Sequence, residues 1–216
     1  MRRLILLLLG IIVIGASGCL PYRHDTTLYE SSGRQKAIVT VLPVLDRTQT
    51  SELVWDLSRE FTEEIRKRVY SSPKVYLLRQ EGTLDLSEKY AVADLNTLPV
   101  EMTKDLGATE FVVVAELIDQ SLTPNVNPTP FPHEGSSSLS VSMRVRVVDV
   151  RHDIPRVVLQ EILTQSLPIS QPYLNTDYSK TKWGTESFQR SPMGLVHNRL
   201  MGEMVARMES YIEAAR

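Results

Sequence analysis

Cys19 is the only cysteine in the 216-residue chain. A thiol can be acylated, form a disulfide, ligate a metal or act as a nucleophile. A single cysteine removes the internal disulfide. The four histidines, His24, His133, His152 and His197, fall in an expected linker, loop, turn and helix, with no spacing suited to a metal. There is no G-x-S-x-G elbow, no phosphate-binding glycine loop and no H-E-x-x-H. Asp46 and Asp149 fall at expected strand ends. Catalytic carboxylates occur there, but turn-forming aspartates are commoner. His197 lies beside the apolar stripe of its helix and reads as a packed or surface histidine rather than a base. These residues point to no catalytic site, metal or cofactor, and the expectation is a protein that is not an enzyme.

The surroundings of Cys19 are more specific. Arg2 and Arg3 precede an unbroken apolar run of 11 residues, Leu4 to Ile14. That run is short for a hydrocarbon core of roughly 30 Å and fits the apolar segment of a secretory signal peptide. Gly15, Ala16, Ser17 and Gly18 follow, small enough for a peptidase to grip, and then Cys19. The whole resembles a bacterial lipobox, with Ala16 standing where leucine is commonest. The resemblance implies that residues 1–18 are a lipoprotein signal peptide and that Cys19 carries lipid, which leaves no thiol for other chemistry. The alternative is an ordinary secreted protein cut near Ala16 with Cys19 a free thiol. Leu20 stands where, by resemblance to the enteric sorting rule, an aspartate would retain a lipoprotein in the inner membrane, so the expected place is the outer membrane with the domain facing the periplasm. Two or more acyl chains suffice for stable anchoring, at about 0.8 kcal/mol per buried methylene.

Removing residues 1–18 takes away two arginines and no acids, so the formal charge moves from −2 to −4. A mildly acidic chain lacks the basic face that nucleic acid requires. The remaining 198 residues can bury one sizeable core, so one domain is expected. Residues 19–36 read as a lipidated N-terminus and flexible tether, able to reach roughly 55 Å at about 3.3 Å per residue, and residues 37–216 as a single α/β periplasmic domain.

Within that domain Ala37 to Leu42 reads as a buried strand ended by Pro43. Ser51 to Tyr70 reads as a helix with the stripe Leu53, Leu57, Phe61, Ile65 and Val69, N-capped by Thr50 or Ser51 and stopped at Ser71-Ser72-Pro73. Lys74 to Leu78 is a strand. A weaker helical region covers about Ser87 to Leu106, with Gly107 where a left-handed C-cap residue belongs. Glu110 to Ile118 is a central strand. Leu139 to Val147 alternates like a half-exposed antiparallel strand, and a parity break suggests a bulge near Val147. Arg156 to Leu167 completes a hairpin across the turn at 151–155. Ser191 and Pro192 open a C-terminal helix with the stripe Val196, Leu200, Met204, Met208 and Ile212. The order β-α-β-α-β-β-β-α implies an α/β (α+β) single domain, a mixed sheet packed by helices.

Two polar segments interrupt this pattern. Gln120 to Ser138 carries four prolines and reads as a 19-residue loop, functional or disordered. Pro168 to Ser191 holds Tyr173, Tyr178, Trp183 and Phe188. Large rigid side chains in such a segment can contact a partner, or can pin the segment onto the sheet, which is the favoured reading.

The pieces "AIVTVLPVLD", "LSREFTEEIRKRVYSSPKVYLLRQ", "LGATEFVVVAELIDQS", "SLSVSMRVRVVDV" and "RVVLQE" resemble a group of periplasmic and outer-membrane proteins. The group includes the N-terminal domain of TolB, the lipoprotein activators of penicillin-binding proteins and the curli-channel lipoproteins. Leu42-Pro43-Val44, Arg79-Gln80 and Leu106-Gly107-Ala108 carry the small motifs. The resemblance implies a fold like the anticodon-binding domain, used to dock, regulate or assemble another envelope protein without catalysis. A homo-oligomeric secretion or transport assembly is the alternative, and an envelope hydrolase a weaker one.

Overall fold

The computed structural model describes residues 27–48, 53–78, 100–124 and 137–216. Cys19, the signal segment, His24, His133, Thr50, Ser51, Arg79-Gln80 and residues 87–99 of the expected second helical region lie outside the described residues. The chain forms one mixed, open six-stranded sheet packed by helices. Strands β1 (Ala37–Val41), β2 (Leu45–Asp46) and β3 (Val75–Leu77) are short, and β4 (Phe111–Pro124), β5 (Ser137–Asp149) and β6 (Arg156–Ile169) are long. The main order is β3-β1-β4-β5-β6. β1 pairs in parallel with β3 and β4, which needs crossovers, and β4, β5 and β6 form an antiparallel meander.

Helix α1 (Leu57–Tyr70) and the C-terminal helix α5 (Pro192–Ala215) cover one face. Their stripes Leu57, Phe61, Ile65, Val69 and Val196, Leu200, Met204, Met208, Ile212 are buried as expected, against Val39, Val113, Val141, Val145 and other strand residues. Each buried aliphatic side chain contributes about 1.5–3 kcal/mol. A smaller cluster, Leu42, Leu106, Val112, Val114 and Val148, lies apart from this core. It includes the residue after α2 (Val100–Asp105), and Gly107 takes a left-handed φ of 58° there.

Several boundaries differ from expectation. α1 starts at Leu57, with Asp56 as N-cap accepting from the Arg59 N–H at 3.4 Å. Leu53 therefore precedes the helix, although it still packs on the core. The expected loop at 120–138 is shorter, because β4 continues through Pro124 and β5 begins at Ser137. A register shift between Leu117 and Asp119 hides this in the sequence, since one extra residue inverts the alternation. The bulge expected near Val147 is present as a shift between Val147 and Val148. The irregular stretch after β6 contains two short helices, α3 (Gln171–Leu174) and α4 (Glu186–Arg190). The last part of the expected tether is also folded: Tyr29 bridges Gln35 around Gly33, and Lys36 is buried.

The end of β5 is clamped to the end of α5. Arg151 donates through Nε and Nη2 to the two carboxylate oxygens of Asp149, at 2.9 and 2.7 Å. The same Nη2 donates to the Ala215 carbonyl at 2.8 Å, and the guanidinium lies 4.7 Å from the Phe111 ring centroid. The Arg151 side chain, aided by its backbone N–H, holds the Asp149 carboxyl below the ordinary carboxylate range, and burial opposes this. A carboxyl depressed in the folded state stabilises the fold fully above its unfolded value of about 4 and loses that contribution as pH falls through its folded value. Asp149→Asn should therefore lower stability by about 1.5–3 kcal/mol near neutral pH, with the gap from the parent closing toward pH 2. Urea unfolding across that range checks it, and a gap that persists at low pH would refute the assignment.

Candidate functional site

The α1 stripe leaves Glu60 beside Phe61, facing α5, and the α5 stripe leaves His197 beside Val196. Both residues are buried, with side-chain exposures of 1% and 0%. His197 Nδ1 lies 2.7 Å from Glu60 Oε1, and its Nε2 lies 2.9 Å from Gln120 Oε1 on β4. Trp55 Nε1–H donates to the other Glu60 oxygen at 2.7 Å. Gln120 in turn directs its amide nitrogen toward the Met193 sulfur at 4.0 Å. Aromatic rings wall this chain of bonds: Phe61 stands 4.7 Å and Phe188 6.0 Å from the His197 ring, and Trp55 meets Phe188 edge-on at 5.3 Å.

A cleft of about 380 Å³ opens beside this cluster, lined by Glu64, Arg68, Trp183, Phe188, Asn198 and Met201 among others. Arg68 donates through Nη2 to Asn198 Oδ1, which links α1 to α5 across the cleft floor. The tight turn between α4 and α5 forms one wall. Ser191 Oγ accepts from the Gly194 N–H at 3.1 Å and donates to the Phe188 carbonyl at 2.7 Å, so Ser191 is the N-cap and Pro192 the first helical residue, as expected.

The chemistry of this arrangement is that of a saturated polar core. Each imidazole nitrogen and each Glu60 oxygen has a partner within the cluster, and both side chains border the cleft while staying buried. The expected strand-end aspartates serve turns and clamps. Asp46 accepts from the Thr48 N–H and hydroxyl at 2.8 and 2.7 Å, and Asp149 holds Arg151. Neither lines the cleft beside His197, and His152 is exposed in the β5–β6 turn. Among the described residues no group of three His, Cys, Asp or Glu side chains could hold a metal, and no helix is long and apolar enough to cross a membrane.

The four aromatics of the segment after β6 divide. Phe188 is 4% exposed within the core, and Tyr178 and Trp183 are partly buried against it. Tyr173 is 57% exposed. Trp55, Glu60 and Gln120, which complete the histidine cluster, carry no local signal beyond Glu60's place next to an apolar stripe.

This domain, from residue 25 to residue 216, matches a sequence family described as a family of unknown function, DUF7499. The chain belongs to that family. The DUF7499 chain is also similar to the solved structure of the hypothetical protein CT253 from Chlamydia trachomatis, at 36% identity and a TM-score of 0.70, covering 83% of this chain and 99% of that one. Weaker likenesses include the lipoprotein GNA1162 from Neisseria meningitidis (14% identity, TM-score 0.41, 82% and 99% covered). TolB from Acinetobacter baumannii is another (10% identity, TM-score 0.32, 60% and 23% covered). At those values neither bears on function. No curated protein matches the chain.

Proposed function

We propose that this DUF7499 chain is a non-enzymatic envelope lipoprotein, anchored to the outer membrane by lipid on Cys19, whose periplasmic domain docks another envelope protein. The run from Arg2 through Cys19 carries the anchoring half of this reading. The Glu60–His197–Gln120 contacts join α1, α5 and β4 into one stiff scaffold, which suits a docking module. Of the four aromatics considered as partner contacts, Tyr173 is the one whose ring is mostly free to be buried by a partner. Cys19→Ser should abolish incorporation of labelled fatty acid and shift the protein from the outer-membrane to the soluble or inner-membrane fraction. Retention with outer membranes at parental levels would refute the anchor. Crosslinking in intact cells should recover a defined envelope protein, with recovery falling several-fold for Tyr173→Ala. Measurable hydrolysis of peptidoglycan or lipid by the purified chain would overturn the non-enzymatic reading.

A further inference from the structure

β6 is the last strand of the sheet, and among the described residues nothing pairs with its outer edge over Arg156–Ile169. A strand this long with a free row of backbone donors and acceptors is a template for another strand, and monomeric proteins blunt such edges with charge, proline or bulges. Here the blunting devices sit only at the two ends, as the bulge beside Val157 and Pro168. Between them, residues 159–167 (LQEILTQSL) carry a single charge, Glu161.

We propose that this edge pairs antiparallel with the same edge of a second copy, about a two-fold axis passing through Leu163. In that register all nine residues of 159–167 pair with one another, apolar against apolar and polar against polar on the helix-covered face. Continuing one sheet across a two-fold axis keeps its faces aligned, so each side chain must meet one of the same face, and the axis must pass through a residue. Through Leu163, the helix-covered face matches Leu163 with Leu163, Leu159 with Leu167, and Glu161 with Gln165. The open face matches Ile162 with Thr164 and Gln160 with Ser166. An axis through Glu161 opposes two carboxylates, and axes through Ile162 or Thr164 set Glu161 against Leu163 or Leu167. Ile162, 57% exposed on the open face, lies beside the axis, where burial by a second copy removes its apolar surface from water. A second copy fits better than an unrelated strand because every side chain it brings is one this edge already matches.

Light scattering of the full chain extracted in detergent, corrected for bound detergent, should give twice the single-chain protein mass at tens of micromolar. Ile162→Lys with Thr164→Lys places lysine opposite lysine across the axis and should return the mass to that of one chain, with the unfolding midpoint of the monomer unchanged. A parent that is monomeric, or a double-lysine variant that stays dimeric, overturns the proposal. The register is tested in a Cys19→Ser background by oxidative crosslinking. Directly opposed side chains lie roughly 4.5–5.5 Å apart at Cβ and diagonal ones farther, so Ile162→Cys with Thr164→Cys should give a disulfide-linked dimer in high yield. Ile162→Cys alone should give several-fold less. Equal yields would place the axis elsewhere and refute the pairing.

Discussion

Replacing Gly194 with alanine should destabilise the domain strongly, and far more than the same exchange at Gly202 on the same helix. A Cβ built at Gly194 would stand 2.0 Å from the Phe188 carbonyl oxygen and 2.8 Å from its carbon. That carbonyl cannot retreat freely, because the Ser191 N–H and hydroxyl both donate to it, at 2.9 and 2.7 Å. Moving it would drag Phe188 off Trp55 and His197, so the strain spreads into the polar cluster. Overpacking costs 1–3 kcal/mol in ordinary cores and more where backbone must shift, and about 3 kcal/mol or more is expected here. For a chain of this size that lowers Tm by roughly 6–12 °C. Gly202 on the same helix is the control, since its added Cβ would find Arg68 Nη1 at 3.8 Å. Gly202→Ala should be neutral or stabilising by up to about 1 kcal/mol, as alanine is the better helix former. Equal effects at the two sites in thermal unfolding would show that the α4–α5 approach is looser than described.

His197→Leu should cost about 3–5 kcal/mol, the loss typical when one partner of a buried charged or hydrogen-bonded pair is removed. The loss exceeds that of one hydrogen bond because the buried Glu60 and the partly buried Gln120 each lose a partner. Leucine fills part of the ring volume, so a simple cavity does not account for it. The double variant Glu60→Gln with His197→Leu should be less destabilised than the sum of the single changes, by about 1–3 kcal/mol. Gln120→Leu should fall between the extremes, since it breaks one bond to the imidazole. The measurement is the urea midpoint at constant slope. Strict additivity would mean that the three side chains do not act as one network.

The parts of this fold that could be read from sequence are those coded by neighbours along the chain. Ser191-Pro192 and the five-residue stripe behind them place the start of α5, and Gly107 marks its turn because a left-handed φ is needed there. The order of the main strands and helices and the bulge at Val147 also follow from periodicity, while the two-residue β2 and the short helices α3 and α4 do not. Spacing alone puts the start of α1 too early, because Leu53 has helical spacing to Leu57 yet reaches the core from the non-helical chain before Asp56. The far half of β4 is hidden in the sequence because the bulge after Leu117 inverts the alternation just where the residues turn polar. The Glu60–His197–Gln120 cluster was invisible for a different reason. Its contacts join residues 137 and 77 positions apart, and no local pattern records which two stripes will face each other. His197 was correctly placed beside an apolar stripe, but its partners came from elements that only the packing brings near.

The folded turn at residues 29–35 has a mechanical consequence. Arg216, the last residue, lies 3.8 Å from Glu30 and also donates to the Gln35 carbonyl. The two ends of the described chain are thus buckled together at one pole of the molecule. α5 leaves that pole and runs antiparallel to β6, with Tyr211 meeting Glu161 and Glu203 meeting Gln165, until Met193 reaches Gln120. Its 24 residues span about 36 Å at 1.5 Å per residue. Whatever pulls on residue 27 therefore grips the molecule at its near pole through both termini, and the α4–α5 turn with Phe188 is carried at the far end of a stiff strut.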